Sequence, residues 1–166
     1  MVDNKLDRID LKILAHLQRN GRITNANLSE AVALSPSPCL TRVKRLEKLG
    51  YILSYNAHIA LHKLGDTSTI FTEITLSGHH REDFSRFEKN INAIDEVIEC
   101  HLVSGGYDYL LKFVTRGIDH YQELMEEVIT KEFGIDKYFS YVVLKSPVVK
   151  LHYPLYSLFG DAEIKV

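Results

Sequence analysis

The stretch Ser35–Gly50, SPSPCLTRVKRLEKLG, admits few conformations other than one short helix with both ends marked. Ser35 stands where an N-cap belongs, and Pro36 takes the first helical position, where a fixed φ fits and a missing N–H costs nothing. Pro38 still falls within the first turn, whose N–H groups have no intrahelical partner. Gly50 supplies the C-terminal stop, and Lys48 suits the negative end of the helix dipole. At about 100° per residue, Cys39, Leu40, Val43 and Leu46 form one apolar stripe. The opposite side carries Ser37, Pro38, Thr41, Arg45 and Lys48, flanked by Arg42 and Lys44. Cations interleaved with small hydroxyls suit phosphates and base edges. The same pattern also describes a solvated amphipathic helix, so what precedes it matters.

Two further helices precede it. Asp7–Gln18 places Ile9, Ile13, Leu14 and Leu17 on one face, with Asp7 as cap and Asp10 three residues on, the spacing of a capping box. Asn20-Gly21 stops that helix. A second starts at Thr24 or Asn25, with Leu28 and Val32 turned inward and Ala31 in close contact, and a tight turn at Ala33-Leu34 leads to Ser35. Each of the three is too short to be stable alone, and their apolar stripes match. Two helices joined by about three residues make a helix-turn-helix, whose second helix enters the major groove. Ser37 and Thr41 then become candidates for base edges, and Arg42 and Arg45 for guanine or phosphate. Ser35, Lys44, Lys48 and Arg22 become candidates for phosphate. Cys39 reads as a small buried residue.

Charge supports this division. Residues 1–50 hold nine Lys and Arg against five Asp and Glu, a surplus of +4, while residues 51–166 carry −6. A basic head on an acidic body points to a head that alone meets a polyanion. No apolar run approaches the length of a membrane span, and the polar opening MVDNKLDRID is no signal peptide. Cys39 and Cys100 are the only cysteines, so neither a disulfide framework nor a cysteine zinc site is indicated, and the reducing cytoplasm is the expected compartment.

Tyr51–Ile59 is β-prone, with Ile52 and Tyr55 packed beneath the head, and reads as a strand leading out of it. Ala60–Thr67 follows as a linker broken at Gly65-Asp66. His58 and His62 lack a third ligand, so no metal is expected. From Ser68 strands and helices take turns: a strand at Ser68–Ser77, a helix at Arg81–Ile91, and a strand region at Ala93–Val103. After the Gly105-Gly106 turn come a strand at Tyr107–Thr115, a helix at Ile118–Lys131 and a last strand at Lys137–Leu144. Tyr121, Leu124, Met125, Val128 and Ile129 are expected to face inward from the second of these helices. The order βαββαβ is the ferredoxin-like sandwich, with helices on one face of an antiparallel sheet. Its strands are apolar on both faces, so a partner subunit is the expected cover for the open one.

LDRIDLKIL at Leu6–Leu14, LSPSPCLTRVKRLEKLGYI at Leu34–Ile52 and GGYDYLL at Gly105–Leu111 resemble the Lrp/AsnC family of transcriptional regulators. The resemblance covers essentially the whole chain and implies an α+β protein. A winged helix-turn-helix occupies residues 1–52, a β linker 53–67, and a ferredoxin-like effector-binding and oligomerisation domain 68–166. It further implies a homodimer, assembling to an octamer, that binds operator DNA near the nucleoid without a cofactor. An amino acid or related small molecule would bind at the turn Val103, Ser104, Gly105, Gly106, Tyr107, Asp108 and Tyr109, with Ser140 and Tyr141. Glycines there expose N–H groups to a carboxylate, and Asp108 offers a partner to an ammonium. The same features also describe a plain hairpin turn in which Asp108 makes a local backbone bond. Tyr138, Phe139, Tyr141 and Pro147 depart from the family pattern, and Tyr107 with Tyr141 suggests a pocket for something other than leucine.

Two other functions share this architecture. Sirohaem decarboxylases resemble it and use histidines, for which His101, His120 and His152 are available here. A ligand-binding oligomer without DNA function is the third reading. The basic, hydroxyl-rich face at Ser35–Lys48 favours a regulator over the enzyme, and the third reading differs from the first by showing no salt-dependent DNA binding.

Overall fold

The computed structural model describes residues 6–131 and 133–160, in two compact units: residues up to His58 together with those from Val148, and Ile59–Pro147. The first five residues of the polar opening and the last six of the tail lie outside the described residues.

In the first unit, α1 (Arg8–Leu17) opens on the expected capping box. Asp7 Oδ1 accepts from the N–H groups of Ile9 (2.9 Å) and Asp10 (2.8 Å), and Asp10 Oδ2 accepts from Asp7 N–H at 3.1 Å. The next helix, α2 (Asn25–Ala31), is capped by Thr24 Oγ1, which accepts from Asn27 N–H at 3.2 Å. Then α3 (Pro36–Lys48) starts with Pro36 at its first position; Ser35 holds the N-cap position, but its side chain makes no capping bond. Gly50, at φ +77°, lets the Tyr51 N–H reach Leu46 O and its own reach Glu47 O, closing the helix as a Schellman turn.

Leu6, Ile13, Leu17, Leu28, Val32, Cys39 and Leu46 form the buried core of this unit, with Ile9, Leu14, Val43 and Ile52 packed against it. Three expectations change. Leu40 is 42% exposed, because Cys39, Val43 and Leu46 crowd one narrow arc of α3 and Leu40 falls outside it. Ala31 is exposed, and the inward place goes to Ser29, whose Oγ donates to Ala26 O at 2.8 Å. Leu11, off the expected stripe, is buried where the C-terminal segment packs on α1. There the Gln18 amide donates to Tyr153 O at 2.8 Å and accepts from Tyr153 N–H at 2.9 Å. The segment from Val148, including α6 (Leu155–Phe159), therefore groups with the head, not with the sandwich to which its position in sequence assigned it.

The expected strand at Tyr51–Ile59 does not form; the only regular piece between α3 and residue 68 is a 3₁₀ turn, Leu61–Lys63. A ladder needs a neighbour, and one chain supplies none here, so Leu53 stays 91% exposed. Ile52 and Tyr55 do pack on the head, and Tyr55 Oη donates to Glu47 Oε1 at 2.9 Å.

The second unit contains β1 (Ser68–Leu76), α4 (Arg81–Ile91), β2 (Val97–Leu102), β3 (Tyr109–Thr115), α5 (Ile118–Thr130) and β4 (Ile135–Val142). The strands form one antiparallel sheet in the order β2-β3-β1-β4, the βαββαβ topology. Residues 93–96 turn instead of opening β2, and β3 begins at Tyr109, two residues later than the pattern suggested. Ile70, Ile74, Leu76, Tyr109, Leu111 and Phe113 from the sheet pack against Phe87, Ile91, Tyr121, Met125 and Val128. Ile129, expected inside, is exposed. Among these apolar side chains Thr72 Oγ1 meets Tyr121 Oη at 2.7 Å, and Tyr121 Oη meets Ser140 Oγ at 2.5 Å. The opposite face carries Phe71, Glu73, Leu110, Lys112, Phe139 and Tyr141 in register, and no helix of this unit covers it; Phe139 is 57% exposed. No helix among the described residues is long and apolar enough to cross a membrane.

Candidate functional site

On α3 the exposed stripe runs Ser37, Leu40, Thr41, Lys44, Lys48, with Ser35 and Pro38 exposed at its N-terminal end and Arg22 exposed after α1. Thr41 Oγ1 donates to Ser37 O at 3.0 Å, one turn back, which commits its hydroxyl proton to the helix.

The two arginines behave differently from the lysines. Arg42 Nη1 lies 2.7 Å from Asp7 Oδ2 and 2.9 Å from Asp10 Oδ1, and Arg45 Nη2 lies 2.5 Å from Asp10 Oδ2. The Asp10 side chain is fully buried, and both guanidinium side chains are about three-quarters covered, at 29% and 27% exposure. Burial works to raise the Asp7 carboxyl. Bonds from the Asp10 and Ile9 N–H groups and from Arg42, with its charge, outweigh it and hold the group below its ordinary value. Burial likewise works to lower Arg42, and the two carboxylates beside it push it up. Both arginines thus tie the third helix to the N-terminus of the first.

In the sandwich, the turn residues Ser104, Gly105 and Gly106 are exposed, while Val103, Tyr107 and Asp108 are half-buried. Val103 N–H donates to Asp108 O at 2.9 Å, closing the turn. Asp108 N–H donates to Ile74 O at 2.9 Å, and Asp108 Oδ2 accepts from Leu76 N–H at 2.7 Å. His79 Nε2 stands 3.2 Å from the same carboxylate. The Asp108 side chain is therefore the pin that fastens the turn to the end of β1. Tyr109 points the other way, into the helix layer: it is 1% exposed, and its hydroxyl donates to Glu88 Oε1 at 2.8 Å. Burial first, and Glu88 after it, push that phenol far up. Ser140 also faces the helices, through Tyr121. Tyr141 lies on the open face. Desolvation, then the charge of the Glu73 carboxylate, with Tyr107 nearby, push it above its ordinary value.

A family model described as "Winged helix-turn-helix DNA-binding" matches residues 6–52, and one described as "Lrp/AsnC ligand binding domain" matches residues 69–151. The chain is 47% identical over 142 residues to the transcriptional regulatory protein DoeX of Halomonas elongata, covering 86% of this chain and 90% of that one. It is 42% identical over 151 residues to the leucine-responsive regulatory protein of Escherichia coli K12, covering 87% and 92%. The chain belongs to the Lrp/AsnC family. Among solved structures it is similar to a transcriptional regulator from Neisseria meningitidis in complex with L-Met, at TM-score 0.86 and 33% identity over 92% of this chain and 99% of that one. The structure of AsnC from E. coli aligns at TM-score 0.79 and 26% identity.

Membership in the Lrp/AsnC family makes this chain a transcriptional regulator with a DNA-binding head, and sets aside the decarboxylase reading of the same architecture. Among the described residues no three His, Cys, Asp or Glu side chains gather as a metal site. The hydroxyls and lysines expected to meet DNA do share one exposed face. Arg42 and Arg45 flank it but are bound to α1. The nine residues expected around an effector do not converge in one chain: Tyr109 and Ser140 sit behind the sheet, while Tyr107 and Tyr141 lie near each other in front. Sequence reasoning missed Asp10 as the arginines' partner and Glu73 as Tyr141's. The first has a local signal only as a cap, and the second needs the strand register, which sets Glu73 opposite Phe139 and diagonal to Tyr141.

Proposed function

We propose that this regulator grips operator DNA through Ser35, Ser37, Pro38, Thr41, Lys44 and Lys48 of the α3 face, with Arg22 on a flanking phosphate. Arg42 and Arg45 set the pose of the helix from behind and lend their charge to the backbone contacts. The observation that carries this reading is the division on α3 itself: hydroxyls and lysines exposed, arginines drawn back onto a buried carboxylate.

The sandwich senses an amino acid or a related small molecule at the Val103–Tyr109 turn. Exposed N–H groups of Ser104, Gly105 and Gly106 suit its carboxylate, and Tyr107 and Tyr141 wall the pocket. Tyr109, Ser140 and Asp108 hold that site in shape from behind. The family's ligand-binding description and the L-Met complex of the Neisseria regulator support an amino-acid ligand. The uncovered sheet face, with Phe71, Leu110, Phe139 and Tyr141, supports a homodimer that pairs through it, assembling further to an octamer. In domain terms, 1–52 binds DNA, 53–67 links, and 68–166 binds effector and assembles, its tail returning to the head. The protein works in the cytoplasm on the nucleoid.

The test is a mobility shift on the DNA flanking the regulator's own reading frame, repeated with a panel of amino acids, beside thermal shifts with the same panel. The reading expects salt-dependent binding, and at least one amino acid that both raises Tm and changes the shift. Binding that ignores every amino acid removes the effector half; no binding at low ionic strength removes the DNA half.

A further inference from the structure

An exposed leucine lies on α3 beside the hydroxyls and lysines of its solvent-facing stripe. Leu40 is 42% exposed and is not among the buried core residues Cys39 and Leu46 of the same helix. Its neighbour on the same face is Thr41, whose hydroxyl donates to Ser37 O at 3.0 Å. With the hydroxyl turned back to the helix, the Thr41 methyl becomes the group it offers outward. Lys44 and Lys48, one and two turns on, supply the charge that brings this strip against a phosphate backbone. The two arginines able to read guanine bidentately are held instead by Asp10, a carboxylate with no exposure at all. What remains at the centre of the face is an apolar pair framed by cations.

The major groove presents one apolar feature to such a pair, the C5 methyl of thymine. Resting on the DNA-binding reading above, we infer that Leu40 and the Thr41 methyl read thymine methyl groups, so that the operator is recognised by thymine position more than by guanine. Burying a methyl against them accounts for about a fourfold affinity change per contact.

The test starts from a pool of duplexes with a randomised centre, selected on the full-length protein. The duplex recovered is then remade with deoxyuridine for thymidine, which deletes only the C5 methyl groups. The inference expects wild type to bind the uracil duplex more weakly, by about fourfold for each contacted methyl. It also expects Leu40→Ser to shrink that difference, and Leu40→Ser with Thr41→Ser to abolish it. Both side chains are exposed, so the variants keep the wild-type Tm and circular dichroism. Equal binding of the two duplexes by wild type overturns the inference, as does a difference that survives undiminished in the double variant, and in both cases DNA binding itself stands. A pool from which no duplex is recovered overturns the DNA-binding reading, and this inference with it.

Discussion

Arg45 Nη2 lies 2.5 Å from Asp10 Oδ2, across 35 residues of sequence, and the carboxylate it meets is wholly buried. The same carboxylate takes Arg42 on its other oxygen and the Asp7 N–H at the mouth of α1. One side chain therefore serves as helix cap, counter-ion and cross-brace between the first and third helices. A buried carboxylate is expensive unless every lone pair is occupied, and here the partners are charge-assisted donors.

Asp10→Asn keeps the shape and removes the charge, and two effects follow with opposite signs. Losing the brace destabilises the head by about 1–3 kcal/mol, read as a lower urea midpoint. Releasing two guanidinium groups toward the phosphates strengthens binding to random duplex and steepens its salt dependence by about one to two in slope. The ratio of specific to random binding falls. If the brace were incidental, neither the urea midpoint nor the salt slope would move.

Asp7 gives the head an acid-side dependence whose sign follows from its lowered carboxyl. A group held below its unfolded value stabilises the folded state above the unfolded pKa, and that contribution is lost as pH falls through the folded one. The ordinary value is 3.8, so the loss develops from there downward. Asp7→Asn keeps a capping oxygen but not the charge. At neutral pH it is expected to be slightly less stable than wild type, by well under about 1 kcal/mol because the Asp7 side chain is half exposed. The two unfolding curves should converge in strong acid, measured as Tm against pH.

Ala33 sits at φ +58°, in the left-handed region, where α2 ends. Its N–H reaches Glu30 O at 3.1 Å, and the Leu34 N–H reaches Ser29 O at 2.8 Å, so it occupies the position glycine usually fills in a Schellman turn. Left-handed backbone costs an L-residue roughly 1–2 kcal/mol, while glycine adds roughly 0.4–1 kcal/mol of unfolded-state entropy. Ala33→Gly should thus raise stability by up to about 1.5 kcal/mol and leave the path into α3, and hence DNA binding, unchanged. Ala33→Val should lower Tm, since a β-branched side chain tolerates that backbone worst.

What the sequence makes legible follows from the range of each interaction. The Asp7/Asp10 capping box and the Pro36 start are encoded within a few residues and appear where their spacing put them. Alternation in Ser68–Leu76 and helical spacing in Arg81–Ile91 likewise carry their own burial, since one face of each must meet a core. The Asp10–Arg45 pair is different: spacing on one helix says nothing about which charge another helix will offer. Leu40 falls outside the covered strip because a stripe drawn on one helix counts apolar residues, whereas the neighbours α1 and α2 decide how wide a strip is covered. The strand expected at 51–59 needs hydrogen-bond partners that no local pattern can promise. The return of the tail to α1 joins one glutamine amide to a backbone 135 residues away, which no local pattern announces.

Asp108 illustrates the same difference at the turn, and its variant separates sensing from binding. The carboxylate already accepts from Leu76 N–H at 2.7 Å and stands 3.2 Å from His79 Nε2, so it acts on a ligand chiefly by fixing where the turn's N–H groups point. Asp108→Ala strands the Leu76 N–H in a half-buried place and lets Gly105 and Gly106 drift from the β1 end. A cost of about 1–3 kcal/mol to the sandwich is expected. The amino-acid response in a mobility shift should weaken at least tenfold in effector concentration, since a carboxylate-binding cradle of backbone donors tolerates little displacement. Basal DNA binding should be spared, because the α3 face belongs to the other compact unit. Asp108→Asn, which keeps an accepting oxygen for Leu76, should recover most of the stability. If it also recovers the effector response, Asp108 acts by position. If it restores stability and leaves the response lost, the charge itself meets the ligand's ammonium.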